Sequence, residues 1–202
     1  MQTDRLRLRP WTLDDAERLF AIRSNPDVAQ WLADPEPWTD PAQADAAIEA
    51  WQQTAAADPP CGAWAIEPLD GSPLAGWVAL HRLPDGELDI GWSLHPDSAG
   101  KGWASEAAAL LLDHARSCDV PRLYAVMWPQ NDASAAVATR IGMRDLGIIE
   151  DPWYGTETDP DSRVFVWESV RCRTHSRSCA HIPHRPHPAP AGSLPASRHG
   201  DA

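Results

Sequence analysis

The order of the helix and strand patterns is the feature that most restricts the fold of this 202-residue chain. Apolar alternation bounded by turn residues predicts strands at 5–9, 61–68, 74–83, 87–96, 122–128, 145–150 and 162–168. Spacings of three and four between apolar residues predict helices at 12–26, 40–57, 103–118 and 131–143. This β-α-α-β-β-β-α-β-α-β-β order is neither alternating βα nor all-β. It predicts an α/β fold with a mixed, largely antiparallel twisted sheet flanked by helices.

The chain divides into a body at 1–168 and a C-terminal segment at 169–202 of different composition. All 11 Trp lie between Trp11 and Trp167, whereas the segment has no aromatic residue and is rich in Arg, His and Pro. Such a segment cannot bury enough apolar surface to offset chain ordering, so we expect a disordered tail. Its Cys172 and Cys179 lie too far apart for the usual close pairs of zinc ligands, and we expect no metal site.

The charge of the body excludes several classes of partner. The whole chain has a net charge of −12. The tail has five Arg and one Asp, a net charge of about +4, so the body has a net charge of about −16. A body this acidic is a poor ligand for nucleic acid or an anionic membrane surface. It is compatible with a cationic substrate such as an amine, or with solubility alone. Four Cys without paired spacing and a charged start indicate a reduced, cytoplasmic protein.

A glycine turn at 100–102 directly precedes the helix pattern that starts at Trp103. A P-loop would need Lys and then Ser or Thr after its last glycine, and here Trp103 follows. A dinucleotide-binding turn would need an acid at the end of the next strand, where Trp128 stands. Two interpretations stay open: an ordinary turn, or a cradle of backbone N–H groups at a helix N-terminus that holds a pyrophosphate.

Three segments, taken in order, resemble the GNAT N-acetyltransferases and, within them, the Rim-type branch. They are TDRLRLRPWTLDDAERLF, LDIGWSLHPDSAGKGWASEA and WPQNDASAAVATRIGM. The resemblance spans residues 3–168 and implies the acyl-CoA N-acyltransferase fold, with acetyl-CoA as co-substrate and without a metal. It also implies that the glycine turn binds the pyrophosphate of the coenzyme.

The resemblance assigns a cofactor-binding loop to consecutive residues after the third hairpin strand. The residues are Ala99, Gly100, Lys101, Gly102, Trp103, Ala104 and Ser105. Related loops usually open with Arg, Gln or another large side chain, and this chain has Ala99 there, so one side-chain contact is missing or replaced. Lys101 is expected to be a solvated loop cation. The resemblance also places a backbone N–H near Leu94 at the thioester oxygen.

Asp89 is the candidate general base. In the strand at 87–94, alternation places Leu88 and Ile90 on the core face and Asp89 on the opposite face. Transfer of an acetyl group requires a neutral amine, and a base supplies it from an ammonium ion. The Rim-type branch often has an acid at this position. The alternative is a solvated strand carboxylate.

Asn131 and Ser134 form an Asn-x-x-Ser pair at the start of the last predicted helix. The resemblance implies that Ser134 gives a proton to the leaving thiolate and that Asn131 contacts the arm of the cofactor. The alternative is that Asn131 is a helix N-cap and Ser134 belongs to the first turn.

Four aromatic residues in polar surroundings are candidates for an acceptor pocket: Trp31, Trp38, Trp153 and Tyr154. Asp151 and Glu157 lie close to the last two in sequence. Packing of these rings against the core is the alternative.

The sequence therefore predicts a cytoplasmic N-acetyltransferase that moves acetyl from acetyl-CoA to a primary amine of a small molecule or a protein N-terminus by direct attack. A homodimer is one assembly that the sequence allows. The alternative from another class is a non-catalytic acyl-CoA-binding or interaction module. Such a module would keep the glycine cradle but would not depend on Asp89 or Ser134.

Overall fold

The computed structural model describes residues 1–156 and 159–169, so the predicted tail lies almost wholly outside the described residues. The strands are β1 (Leu6–Pro10), β2 (Gly62–Pro68), β3 (Gly76–Arg82), β4 (Leu88–Leu94), β5 (Arg122–Met127), β6 (Arg144–Glu150) and β7 (Asp161–Glu168). The helices are α1 (Ala16–Arg23), α2 (Pro26–Ala29), α3 (Ala42–Ala57), α4 (Trp103–Ser117) and α5 (Asp132–Arg140). Short 3-10 turns precede α1 and follow β4.

The seven strands form one sheet in the order β1-β2-β3-β4-β5-β7-β6. Every neighbouring pair is antiparallel except β4 and β5, which are parallel. The prediction of a mixed, largely antiparallel sheet flanked by helices is therefore confirmed, and it matches the acyl-CoA N-acyltransferase fold.

Each face of the sheet is covered by a different part of the chain. On one face, the apolar residues of β4, including Leu88 and Ile90, pack with Leu111 of α4 and Ala138 of α5. On the other face, residues of β2 and β3 pack with α1 and α3 around the fully buried Trp11. The alternation predicted for β4 is confirmed, because its even-numbered residues all belong to the α4 side.

The parallel strands β4 and β5 pair at Asp89 and Tyr124 and then diverge. Backbone hydrogen bonds at the two ends of the β3–β4 hairpin run from the N–H of Leu83 to the carbonyl of Glu87 and from the N–H of His95 to the carbonyl of Ala75. They show that the backbone groups of the odd-numbered residues of β4 point towards β3. The backbone groups of its even-numbered residues therefore point towards β5. The parting strands leave the N–H of Leu94 directed into a wedge between them.

The N-terminal region differs from the prediction at two points. Asn25-Pro26 does not simply end a helix, because Asn25 accepts a hydrogen bond from the N–H of Asp27 and starts α2. Asn at the N-cap followed by Pro at the first position is a helix start. Leu13 lies within the helix predicted at 12–26 but is 54% exposed, because the chain at Leu13–Asp15 is a 3-10 turn and not part of α1.

Candidate active site

The loop between β4 and α4 has the backbone that the glycine turn requires. Gly100 and Gly102 have φ values of +75° and +77°, in the left-handed region that disfavours other residues. Gly102 is the N-cap of α4, a helix of 15 residues whose first N–H groups are free to bind an anion. The loop can therefore hold a phosphate group against the positive end of a long helix.

Both ends of this loop are tied to the first elements of the chain. At its end, Glu106 of α4 accepts hydrogen bonds from Thr3 and Arg5, and Arg5 also donates to the carbonyl of Lys101 at 3.3 Å. At its start, Arg18 of α1 donates to the carboxylate of Asp97 at 2.9 Å. The loop is thus preorganised by α1 and by the residues directly before β1.

The side chains of the predicted cofactor loop have different surroundings. Trp103 is only 5% exposed and packs in the core, so its backbone N–H is the group available to a ligand. The ammonium of Lys101 lies 4.2 Å from the centre of that ring. Ala99 is exposed, while Ala104 and Ser105 are half-buried in the first turn of α4. The small Ala99 leaves the mouth of the loop open.

Asp89 is buried, at 6% exposure, so the alternative of a solvated strand carboxylate is wrong. Its carboxylate accepts a hydrogen bond from the backbone N–H of Val126 at 3.3 Å and a long one from the hydroxyl of Tyr154 at 3.4 Å. Nδ1 of His81 lies 3.8 Å from the same carboxylate. Asp89 therefore sits at the narrow end of the wedge between β4 and β5.

Asn131 and Ser134 lie at the start of α5, which follows β5. Asn131 is buried and its side-chain oxygen accepts the backbone N–H of Ser134 at 3.0 Å, so it is the helix N-cap. Asn131 is therefore a helix N-cap, as the alternative interpretation predicts. Its side-chain oxygen is used for capping, so its NH₂ group is the one available to a ligand. Ser134 is half-buried.

The loop between β6 and β7 brings Tyr154 to Asp89 and brings Trp153 to Tyr124, the residue paired with Asp89. The ring of Trp153 packs against Tyr124 at 4.8 Å, and its N–H donates to Asp85 at 2.9 Å. Tyr154 is 41% exposed but turns its hydroxyl inwards to Asp89. Burial raises the pKa of Tyr154, and the charges of Asp89 and Asp151 add to the increase.

The other two aromatic candidates pack elsewhere on this side of the sheet. Trp38 belongs to the cluster under α1 and α3, and the guanidinium of Arg23 lies 4.7 Å from the centre of its ring. Trp31 follows α2 and is 39% exposed. Their contacts join them to α1 and α2 and not to Asp89, and Glu157 lies outside the described residues.

Sequence reasoning missed two features around Asp89. Asp151 was noted only for its position in sequence, but it is 7% exposed, and one of its oxygens has no hydrogen-bond partner. His81 was not noted at all. The hairpin turn at 84–86 could have identified it, because pairing across that turn places His81 opposite Asp89.

Two other kinds of site are absent from the described residues. Within residues 1–156 and 159–169, no group of three or more His, Cys, Asp or Glu side chains is arranged to hold a metal ion. No helix in the same part of the chain combines the length and apolar character needed to cross a membrane.

Comparisons with known proteins agree with this geometry. The family model described as acetyltransferase (GNAT) domain matches residues 5–144. An uncharacterized N-acetyltransferase from Bacillus subtilis, YoaA, is 29% identical over 168 residues, which cover 82% of this chain and 94% of that protein.

Solved structures are similar over the same part of the chain. An acetyltransferase from Agrobacterium tumefaciens has a TM-score of 0.66 and 26% identity, with 84% of this chain and 94% of that one covered. RimL, a ribosomal L7/L12 alpha-N-protein acetyltransferase in complex with coenzyme A, has a TM-score of 0.70 and 20% identity, with 82% and 95% covered. The chain belongs to the GNAT acetyltransferase family.

Proposed function

We propose that the chain is an acetyl-CoA-dependent N-acetyltransferase of the Rim-type branch that acts on a primary amine. The observation that carries the proposal is the wedge between β4 and β5. It has the buried carboxylate of Asp89 at its narrow end, and the glycine turn and the N-terminus of α4 follow directly after the end of β4.

The residues of the cradle fit acetyl-CoA, which supplies the acetyl group and a thiolate leaving group. The N–H groups of the loop at 100–105 bind the pyrophosphate, because both glycines keep side chains out of its path. The N–H of Leu94 stabilises the negative charge that develops on the thioester oxygen. Asn131 contacts the arm of the coenzyme through its NH₂ group.

The transfer removes two protons from the acceptor nitrogen and gives one proton to the sulfur. Asp89 accepts the first proton from the acceptor ammonium, directly or through water, and leaves a neutral amine. The nitrogen attacks the thioester carbon, the C–N bond forms and the C–S bond breaks. Ser134 gives its proton to the departing sulfur and is reprotonated by the second proton of the nitrogen, which is released as the amide forms. The position of Asp89 at the narrow end of the wedge supports this role, because a buried carboxylate is sheltered from competing solvent.

An amine screen that follows release of free CoA tests the proposal. The panel includes a peptide with a free N-terminus, spermidine, benzylamine and free lysine, and acetyl-CoA binding is measured separately by calorimetry. We expect turnover with at least one class of amine. Acetyl-CoA binding without turnover on any class would favour the binding-module alternative. A cytoplasmic location and a homodimer stay predictions from the sequence.

A further inference from the structure

Two buried carboxylates contact opposite ends of Tyr154 in the β6–β7 loop, Asp89 at its hydroxyl and Asp151 at its backbone N–H. Asp89 and Asp151 are 6% and 7% exposed. The hydroxyl of Tyr154 donates to Asp89, and the charge of Asp151 acts on the same hydroxyl by raising the pKa of Tyr154. The three groups therefore share one small region of the molecule.

Only one of the two carboxylate oxygens of Asp151 forms hydrogen bonds within the fold. Its Oδ1 accepts the backbone N–H groups of Trp153 and Tyr154 at 2.8 and 3.1 Å, which fixes the turn. Its Oδ2 is buried and has no hydrogen-bond partner among the described residues. A buried carboxylate oxygen without a partner is costly, because the desolvation of a charged group is left uncompensated.

The positive charge needed to balance these carboxylates does not come from the described part of the chain. No Lys or Arg among residues 1–156 and 159–169 forms an ion pair with Asp89 or Asp151, and the nearest cationic candidate is His81, 3.8 Å from Asp89. Elsewhere, buried or half-buried acids have Arg partners, as Asp15 has Arg9 at 2.7 Å. The region around Tyr154 is therefore deficient in positive charge.

We propose that the free oxygen of Asp151 binds the ammonium group of the acceptor and makes Asp151 the residue that selects cationic amines. This inference rests on the proposed function and assigns a different task to each carboxylate. Asp151 binds and holds the charged acceptor, while Asp89 takes its proton.

The variant Asp151→Asn separates these tasks, because Asn keeps the Oδ1 that fixes the turn and removes the charge. The matched control is Asp161→Asn, which removes the same charge from an exposed position on the same hairpin. The acceptors are the best cationic amine from the screen and a paired set of benzylamine, which is cationic at neutral pH, and aniline, which is neutral. Acetyl-CoA affinity and thermal unfolding are measured for each variant.

We expect Asp151→Asn to raise KM for cationic amines about tenfold or more, with kcat and the affinity for acetyl-CoA nearly unchanged. KM for aniline and the kinetics of Asp161→Asn should stay as in the wild type. An equal change for cationic and neutral amines, or none, overturns the role of Asp151 while the wild-type turnover still supports the enzyme.

A measurement on the wild type keeps the inference testable if the Asn variant does not fold. The wild type must bind benzylamine at least tenfold more tightly than its neutral isostere benzyl alcohol, with both measured as competitors of the best acceptor. Equal binding overturns the inference. Absence of turnover with every amine overturns the proposed function itself, and the selection of an acceptor falls with it.

Discussion

The backbone N–H of Val126 on β5 donates to the carboxylate of Asp89 on β4, at the place where the two strands part. A strand that diverges from its neighbour leaves backbone groups without ladder partners, and buried groups of this kind need another acceptor. Asp89 supplies it. The residue thus completes the sheet at the same point at which we place the chemistry.

Asp89→Asn should separate these two roles. The amide oxygen still accepts the N–H of Val126, so thermal unfolding and acetyl-CoA binding should be close to those of the wild type. Turnover should fall by about 10²–10⁴-fold, because an amide cannot take the proton of the amine. Steady-state rates across pH check this, with Glu87→Gln, directly before the same strand, as the control. An unchanged rate and pH profile would remove Asp89 from the mechanism.

Ser134→Ala tests the proposed proton donor to sulfur. We expect a fall in kcat of about 10²-fold with the affinity for acetyl-CoA retained. Since the backbone N–H of residue 134 still donates to Asn131, the helix start is preserved. Thr139→Ala removes a hydroxyl from the same helix and should leave kcat unchanged. Full turnover by Ser134→Ala would show that the thiolate leaves without this donor.

Gly102→Ala tests the cradle. A side chain at φ +77° costs about 1–2 kcal/mol, and relief of this strain would turn the loop N–H groups away from the phosphate site. We expect the Kd for acetyl-CoA to rise about tenfold in calorimetry. Gly142→Ala places the same strain at φ +83° after α5 and should lower stability without a change in Kd. Equal Kd values for the two variants would mean that the loop does not bind the coenzyme.

The ion pair between Arg9 and Asp15 predicts how stability responds to acid. Burial opposes ionisation of Asp15, but hydrogen bonds from Arg9 and Thr12 outweigh it and lower the pKa of the carboxyl. A lowered pKa gives stability that is present above the unfolded-state pKa and is lost as pH falls through the lower folded-state value.

Asp15→Asn should therefore lower the melting temperature near neutral pH and weaken its decline between about pH 5 and pH 2. Asp14→Asn removes the same charge from an exposed neighbouring position and should leave that decline unchanged. Parallel melting curves for Asp15→Asn and the wild type across this range would assign the acid sensitivity to other groups.

A chain that ends at Ser169 tests the predicted domain boundary. Ser169 donates its backbone N–H to the carbonyl of Pro121 at 2.9 Å, so the shortened chain keeps the last described contact. We expect unchanged thermal unfolding and acetyl-CoA binding, because residues 170–202 contain no aromatic side chain that could join the core. Loss of soluble protein would show that the boundary is wrong.

The sequence predicts the sheet well because its strands alternate strongly and are bounded by turns. It predicts the side of β4 on which Asp89 lies for the same local reasons, whereas the glycine pattern alone is compatible with either an ordinary turn or a phosphate cradle. It does not predict α2, because Asn25-Pro26 is compatible with either the end or the start of a helix. It does not predict the burial of Asp89 either. That burial depends on partners 37 and 65 residues further along the chain, Val126 and Tyr154.

The divergence of β4 and β5 affects which parts of the site can accept amino-acid substitutions separately. The glycine loop and the residues that tie it, Arg5 and Arg18, belong to the half of the sheet before the wedge. The β6–β7 loop belongs to the half of the sheet beyond the wedge. The two halves are joined where Asp89 of β4 pairs with Tyr124 of β5. Within each half, the strand register is set by pairing among the strands of that half. The loops on one side of the wedge can therefore vary without a change in the strand pairing that holds the loops on the other side.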